Sequence, residues 1–279
     1  MDLHPFALDA EDGGHVGVLV NPSGECAPQL STLTRWARDA GIEVRDLGTS
    51  ADAHATDGDC RLVVALGGDG TILRALQLAI PHHAPVLGIN FGHVGFLADV
   101  AGDRLDEALA AIGRGEAVVD ERTALVAEFG ADASHRVVAV NDVVIGRRPG
   151  HGAARLRVFV GDDELLPLTG DGAVIASPTG STAYTIGAGG PAVAPGLDAI
   201  VLTPLAAQGS PLRSMVVEGS DMLRIEMDRA SAPVEVEVDG RIRDDLPPFA
   251  VVRVRTAPRK ARLLRTRPRT FYHDLAERL

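Results

Sequence analysis

The sequence predicts an α/β N-terminal domain followed by a β-rich C-terminal domain, and two patterns lead to this prediction. Through about residue 113, short apolar runs alternate with segments of helical spacing, which is typical of an open, mostly parallel sheet. From about residue 118, the chain carries short alternating runs without a strong helical pattern, which favours a β-sandwich-like domain. We therefore expect domains at 1–116 and 117–279, and whether the last residues pack back on the N-terminal domain stays open.

The first domain is predicted to contain four strands and three helices. Leu30, Leu33 and Trp36 recur at helical spacing, and Gly41 is a natural end for that helix. The run at 62–66 is apolar without alternation, which indicates a strand buried on both faces. The predicted strands are 15–20, 43–47, 62–66 and 85–90, and the predicted helices are 30–40, one that begins near residue 71, and 104–113.

The turn at 67–70, Gly-Gly-Asp-Gly, joins the third strand to the second helix. Its glycines let the backbone turn sharply and let a ligand approach closely. Amides at the start of a helix favour phosphate oxygens. Because phosphate repels a carboxylate, Asp69 is predicted either to accept a proton from a hydroxyl nucleophile or to hold a metal. The alternative is a tight turn that only caps the helix.

Three blocks in the second half combine strands with polar residues. Residues 141–145 (NDVVI) place a polar pair at the head of an apolar strand. Residues 170–191 open with an Asp-Gly turn and continue into small hydroxyl and glycine residues around Tyr184. This composition predicts a ligand-binding surface, and the alternative is an elaborate loop that closes the sheet. Residues 238–241 (VDGR) alone indicate a turn.

The composition excludes several classes of protein. The net charge of -11 argues against general nucleic-acid binding. No apolar run is long enough to cross a membrane, and the N-terminal residues lack a signal-peptide pattern. Cys26 and Cys60 form neither a metal-binding spacing nor a disulfide framework, so a cytoplasmic protein is expected. The basic tail at 253–269 is interpreted as a solvated strand pair; the alternative is that one or two of its arginines contact nucleotide phosphates.

The order of these motifs resembles that of the NAD kinase family. The GGDGT turn at 67–71 is shared with lipid kinases and phosphofructokinases, whereas the PTGSTAY…AGGP block at 178–191 looks specific to NAD kinases. The resemblance implies transfer of a phosphoryl group from ATP or polyphosphate to the 2′-hydroxyl of the adenosine ribose of NAD, giving NADP. It also implies a divalent metal cation such as Mg²⁺ and a homodimer or homotetramer. The matching motifs are 67–71, 88–97, 141–145, 170–191, 197–205 and 238–241.

The resemblance further implies the site residues. Asp69 corresponds to the general base, and Gly70 lies beside it in the nucleotide site. Arg74 lies one helical turn further on, where the family often has a basic residue that faces the dinucleotide. Asn141 matches the first member of an Asn-Glu pair, and Asp171 matches a carboxylate that contacts the dinucleotide. The segment that wraps the substrate is Thr182, Ala183, Tyr184, Thr185, Ile186 and Gly187, and no metal ligand is assigned.

Two positions depart from the family pattern. Asp142, also assigned to the dinucleotide site, stands where the family usually has Glu, and its carboxylate reaches about 1.5 Å less far. Arg241 stands where Gln is common, and an arginine there could bind a phosphate and alter the choice of donor or the preference between NAD and NADH. Two other readings stay open. One is a related lipid or sugar kinase, and the other is a catalytically silent protein that binds NAD(P) and regulates.

Overall fold

The structure is a computed structural model that describes residues 3–8, 13–23, 26–92, 95–98, 100–130, 133–267 and 271–276. The chain forms two compact units. The first unit contains Met1–Arg122 and Arg259–Leu279, and the second contains Thr123–Pro258.

The first unit is an α/β structure with a mostly parallel sheet. Its strands are β1 (Leu3–Phe6), β2 (His15–Val20), β3 (Glu43–Thr49), β4 (Cys60–Leu66), β5 (Val86–Asn90), β6 (Val100–Ala101), β7 (Ala117–Arg122) and β20 (Ala261–Arg265). They run in the order β1-β7-β20-β5-β4-β2-β3, with β6 beside β5. Pairs among β2, β3, β4, β5, β6 and β20 are parallel, whereas β1 and β20 each pair with β7 antiparallel. The helices are α1 (Ala27–Asp39), α2 (Asp69–Ala79), α3 (Leu105–Gly113) and α5 (Phe271–Ala276).

The predicted strands and helices of the first half are all present, and one boundary differs in a way that matters. Helix α2 begins at Asp69, not near Thr71, because Gly68 is extended and its carbonyl accepts from Thr71 N (2.9 Å) and Ile72 N (3.1 Å). Asp69 and Gly70 therefore lie in the first turn of α2. Residues 62–66 are fully buried, as expected for a central parallel strand.

The two units divide the chain differently from the expected division at 116/117. Strand β7 and strand β20 pair with each other over five residues, from Ala261 opposite Arg122 to Arg265 opposite Val118. Both strands complete the first sheet, so residues 117–122 and 259–279 belong to the first unit. The backbone pairing of β7 with β20 sets this division. No change in composition along the sequence marks it.

The second unit is a β-sandwich with two antiparallel sheets. The strands are β8 (Leu125–Phe129), β9 (His135–Ala139), β10 (Asp142–Arg147), β11 (Ala154–Val160), β12 (Asp163–Gly170), β13 (Gly172–Ala176), β14 (Ala199–Leu205), β15 (Met215–Glu218), β16 (Met222–Met227), β17 (Val234–Val238), β18 (Arg241–Leu246) and β19 (Val251–Thr256). The strand orders of the two sheets are β15-β14-β13-β10-β17-β18 and β12-β11-β16-β19-β8-β9. One apolar core takes side chains from both sheets, and strands such as Val234–Val238 alternate buried valine with half-buried glutamate. One short helix, α4 (Tyr184–Gly187), lies after β13.

No helix within the described ranges is long and apolar enough to span a membrane.

Candidate active site

The glycine turn after β4 brings the chain sharply into α2. A Cβ on Gly67 would lie 2.4 Å from Thr71 Oγ1 and 3.0 Å from Asn21 Cβ, so only glycine fits there. The turn lies at the carboxyl end of β4, where ligands of open parallel sheets bind. Asp69 occupies the first position of α2, and the positive end of the helix dipole favours its carboxylate.

The Asp69 carboxylate is held by the segment at 95–97. Phe96 N donates to Oδ2 at 2.9 Å, and Leu97 N donates to Oδ1 at 3.4 Å. A Cβ on Gly95 would lie 1.8 Å from Oδ1, so this close approach requires glycine. Each carboxylate oxygen accepts about two hydrogen bonds, so each keeps acceptor capacity beyond these amides. Asp69 is thus oriented by the protein and still able to accept a proton.

Gly70 and Arg74 lie on the same two turns of α2 as Asp69. Gly70 is exposed, and no described atom lies within 4 Å of a Cβ built on it, so its surface is open to a ligand. Arg74 is half-buried, and its Nη1 contacts Gln77 Oε1 at 3.4 Å. These two residues and Asp69 are the predicted site residues that the first unit carries.

In the second unit, Asp239 fixes the start of β10. Its Oδ1 accepts from Asn141 N at 2.8 Å and Asp142 N at 3.0 Å, and its Oδ2 accepts from Val140 N at 2.8 Å. Asp239 and Gly240 have left-handed φ values of 47° and 76°, the pattern of a tight type I′ hairpin turn. The sequence indicated the turn but not the clamp, since the amides that Asp239 binds lie about a hundred residues earlier.

The Asp142 side chain is buried at the head of β10, with 5% of its surface exposed. Burial, followed by the negative charges of Asp239 and Glu237, raises the pKa of Asp142 to about 7. A carboxyl group with this pKa is partly protonated at neutral pH, so it can donate or accept a hydrogen bond.

The loop after β13 is fastened to the backbone at 140–141. Ser177 Oγ donates to Val140 O at 2.6 Å, and Ser177 N donates to Asn141 O at 2.8 Å. A Cβ on Gly180 would lie 2.0 Å from Asn141 O. Further along, Val193 N donates to Ser181 Oγ at 2.8 Å. Some of the small hydroxyl residues thus hold the loop itself together.

The six residues at 182–187 differ in accessibility. Ala183, Tyr184 and Gly187 are exposed, and Tyr184 exposes 47% of its surface. Thr182 and Ile186 are half-buried. Thr185 is fully buried, and its Oγ1 has no hydrogen-bond partner among the described residues. In this structure Tyr184 and its exposed neighbours are open to a ligand, whereas the side chain of Thr185 is buried.

A cavity of about 420 Å³ brings Asp171 and Tyr184 together in the second unit. Arg147 also lines it, and its Nε donates to Asp171 Oδ1 at 2.6 Å. Two acidic residues of β17, Glu235 and Glu237, line the other side. Glu237 also contributes to the raised pKa of the Asp142 carboxyl, so the head of β10 and the cavity share one electrostatic environment.

Several arginines of the basic tail have protein partners. Arg255 pairs with Glu128, and Arg262 pairs with Glu121. Arg265 is buried, with 8% of its surface exposed, and pairs with Asp120. These partners favour structural roles for the three arginines. The expected solvated strand pair is not formed, because β19 and β20 lie in different sheets and Arg265 is buried.

Within the described part of the chain, no group of three or more His, Cys, Asp or Glu side chains could hold a metal ion. Mg²⁺ that enters with a nucleotide needs only one or two carboxylates, because phosphate oxygens and water complete its coordination.

Two family models match the chain. The model of the ATP-NAD kinase N-terminal domain matches residues 43–117, and that of the ATP-NAD kinase C-terminal domain matches residues 140–266. NAD kinase of Chloroflexus aggregans is 36% identical over 271 residues, which cover 95% of this chain and 98% of that protein. NAD kinase of Symbiobacterium thermophilum is 39% identical over 225 residues, which cover 80% and 79%. The chain belongs to the NAD kinase family.

Solved structures of NAD and NADH kinases share the fold of this chain. Yeast NADH kinase complexed with NADH has a TM-score of 0.82 at 21% identity, covering 98% of this chain and 87% of that one. An NAD kinase from Archaeoglobus fulgidus in complex with ATP has a TM-score of 0.73 at 21% identity, covering 94% and 97%. The α/β unit followed by a β-sandwich is therefore the NAD kinase fold, as the motif order predicted.

Proposed function

We propose that this chain transfers the γ-phosphoryl group of ATP to the 2′-hydroxyl of the adenosine ribose of NAD, with Asp69 as general base. The observation that carries the proposal is the Asp69 carboxylate. It is held by Phe96 N and Leu97 N at the phosphate-binding turn and keeps acceptor capacity.

The reaction needs proton removal and alignment. A ribose hydroxyl is a weak nucleophile at neutral pH, and a positioned base that accepts its proton contributes about 100- to 10,000-fold. The ribose oxygen forms a bond to the γ-phosphorus while the bond to the β–γ bridging oxygen breaks, and ADP leaves. The hydroxyl proton moves to an Asp69 oxygen. Backbone amides at the start of α2 bind phosphate oxygens and hold the donor in line.

In the second unit, we assign dinucleotide binding to Asn141, Asp142, Asp171 and the segment at 182–187. Support comes from the cavity that Asp171 and Tyr184 line and from the exposed Tyr184 ring, on which a base can stack. Asp142, protonated in part at neutral pH, is suited to hydrogen bonding with a ribose hydroxyl. We assign Arg241 a phosphate contact, so Arg241→Gln should change the preference among donors or between NAD and NADH.

Further parts of the proposal concern the donor complex and the assembly. We propose polyphosphate as a second donor and Mg²⁺ as the cation, which would be held by donor phosphates and water and would neutralise phosphate charge. We also propose a homodimer or homotetramer, which light scattering of the purified protein would measure. A cytoplasmic location fits the two free thiols of Cys26 and Cys60.

The decisive experiment measures NADP formation from NAD, MgCl₂ and either ATP or polyphosphate, at low and high KCl, by the parent and by Asp69→Asn. We expect NADP from the parent and at least a hundredfold lower kcat in the variant. Activity unaffected by Asp69→Asn would remove the proposed base. A folded parent that forms no NADP under any condition, but binds NAD, would support the silent regulatory protein instead.

A further inference from the structure

The backbone that orients Asp69 is itself held by a buried side chain. Leu97 N donates to Asp69 Oδ1 at 3.4 Å, and Leu97 O accepts from Arg265 Nη1 at 3.2 Å. Residues 95–97 belong to neither a helix nor a strand of the described structure. This segment is therefore not part of a regular ladder of hydrogen bonds, and a side chain supplies the donor to Leu97 O.

Arg265 is anchored by a buried ion cluster on β7 and β20. Asp120, with 1% of its surface exposed, accepts from Arg122 Nε at 2.9 Å and also from Arg122 Nη2. Arg265 Nε approaches Asp120 Oδ2 at 3.4 Å. The register places Leu263 opposite Asp120 and Arg265 opposite Val118, so Arg265 is a diagonal neighbour of Asp120 on the same face of the sheet.

The composition of the cluster suggests a role beyond stability. Two guanidinium groups contact one carboxylate, and the guanidinium of Arg265 also donates to the Leu97 carbonyl. Buried ion pairs often stabilise a fold no better than apolar residues of the same volume, because desolvation opposes the attraction. The planar fork of an arginine, however, can bind two acceptors in a fixed geometry.

We propose that Arg265, anchored by Asp120, is a positioning residue that sets the orientation of the Asp69 carboxylate through the backbone of Leu97. The proposal rests on the proposed role of Asp69 as general base. Loss of the donor to Leu97 O lets the 96–97 backbone turn, and the carboxylate then spends less time in the orientation that accepts the ribose proton. Substrate binding elsewhere is unaffected, so kcat should fall and KM should not.

The matched variants are Arg265→Met and Arg122→Met. Each removes one guanidinium from Asp120, but only Arg265 contacts Leu97 O. We expect similar losses in Tm for the two variants. The kcat of Arg265→Met should fall at least tenfold below that of Arg122→Met, with KM for NAD and for ATP within twofold of the parent. Equal kcat values for the two variants would overturn the proposal.

A second measurement combines Arg265→Met with Asp69→Asn. If Arg265 acts through Asp69, the double variant should have the kcat of Asp69→Asn alone. A further tenfold loss would show that Arg265 acts by another route, and the proposal would be wrong. An Asp69→Asn variant that is as active as the parent would instead refute the proposed base, so the two failures are distinguishable.

Arg265→Lys covers the case in which Arg265→Met fails to fold. A lysine keeps one positive charge beside Asp120 but lacks the fork that binds Asp120 and Leu97 O together. We expect a Tm near that of the parent and a kcat about threefold to tenfold lower. A kcat equal to that of the parent would contradict the proposal.

Discussion

In two Asp-Gly turns of this molecule, the aspartate carboxylate accepts hydrogen bonds from distant backbone amides, but the number of these amides differs. Asp69, at the start of α2, accepts hydrogen bonds from the backbone amides of Phe96 and Leu97. Asp239, in the turn between β17 and β18, accepts hydrogen bonds from the backbone amides of three successive residues at the head of β10. Three amides hold the Asp239 carboxylate, whereas two hold that of Asp69, for which we propose the role of general base. The two Asp-Gly pairs thus differ in the number of amides that face the carboxylate.

The largest effect should follow removal of the clamp. Asp239→Ala leaves the amides of residues 140–142 without their charged acceptor, and hydrogen bonds to charged groups contribute about 1.5–3 kcal/mol each, not additively. We expect the free energy of unfolding to fall by about 4 kcal/mol in urea denaturation. Asp239→Asn tolerates the left-handed backbone and keeps one acceptor oxygen, so about half that loss is expected. A loss below about 1 kcal/mol for Asp239→Ala would contradict the structural role of Asp239 and remove this difference between the two turns.

The next effect concerns the approach of Asp69 to its amides. In Gly95→Ala the new Cβ would meet Asp69 Oδ1 at 1.8 Å, so the carboxylate or the 95–97 backbone must move. We expect kcat for NADP formation to fall about a hundredfold, which equals about 2.7 kcal/mol. Gly92→Ala is the matched control, because no described atom lies within 4 Å of its Cβ, and its kcat should stay within twofold. Equal rates for both variants would show that the approach at Gly95 is not needed.

A smaller effect should appear as a pH dependence beside the clamp. The pKa of Asp142 is raised to about 7 by burial and by Asp239 and Glu237, whereas it is ordinary in the unfolded chain. The folded state therefore binds the proton more tightly, and this group makes the protein less stable as pH rises from about 4 to about 7. Asp142→Asn cannot ionise. We expect its free energy of unfolding, relative to that of the parent, to rise by at least about 1 kcal/mol between pH 5 and pH 8, and a constant difference would contradict this.

The smallest effect on stability should come from another Asp-Gly pair, at Asp171. Its side chain pairs with Arg147 in a partly exposed salt bridge, and such pairs contribute little. Asp171→Asn should change the free energy of unfolding by less than about 0.5 kcal/mol, while KM for NAD rises several-fold if Asp171 binds the dinucleotide. A large loss of stability with an unchanged KM would instead show that Asp171 has a structural role like that of Asp239.

Much of the fold could be predicted because local patterns report burial directly. The unbroken apolar run at 62–66 indicated a central strand, and the alternation at 234–238 indicated a strand with one buried face. The position of Asp69 at the glycine turn before α2 was also predictable, since glycines and a helix start adjoin it in the sequence. The role of Asp239 was not, because its partners lie 97 to 99 positions away and leave no local signal.

By itself, the sequence determined the α/β and β-rich halves, the turn that carries Asp69 and the order of motifs that marks the family. Periodicity and turn chemistry act over a few residues, so they can be read along the chain. Only the tertiary structure decided that β20 lies between β5 and β7, bringing Arg265 to Leu97, and that Asp239 holds the head of β10. These contacts join distant segments, and their energy depends on the burial and register that the folded sheets create.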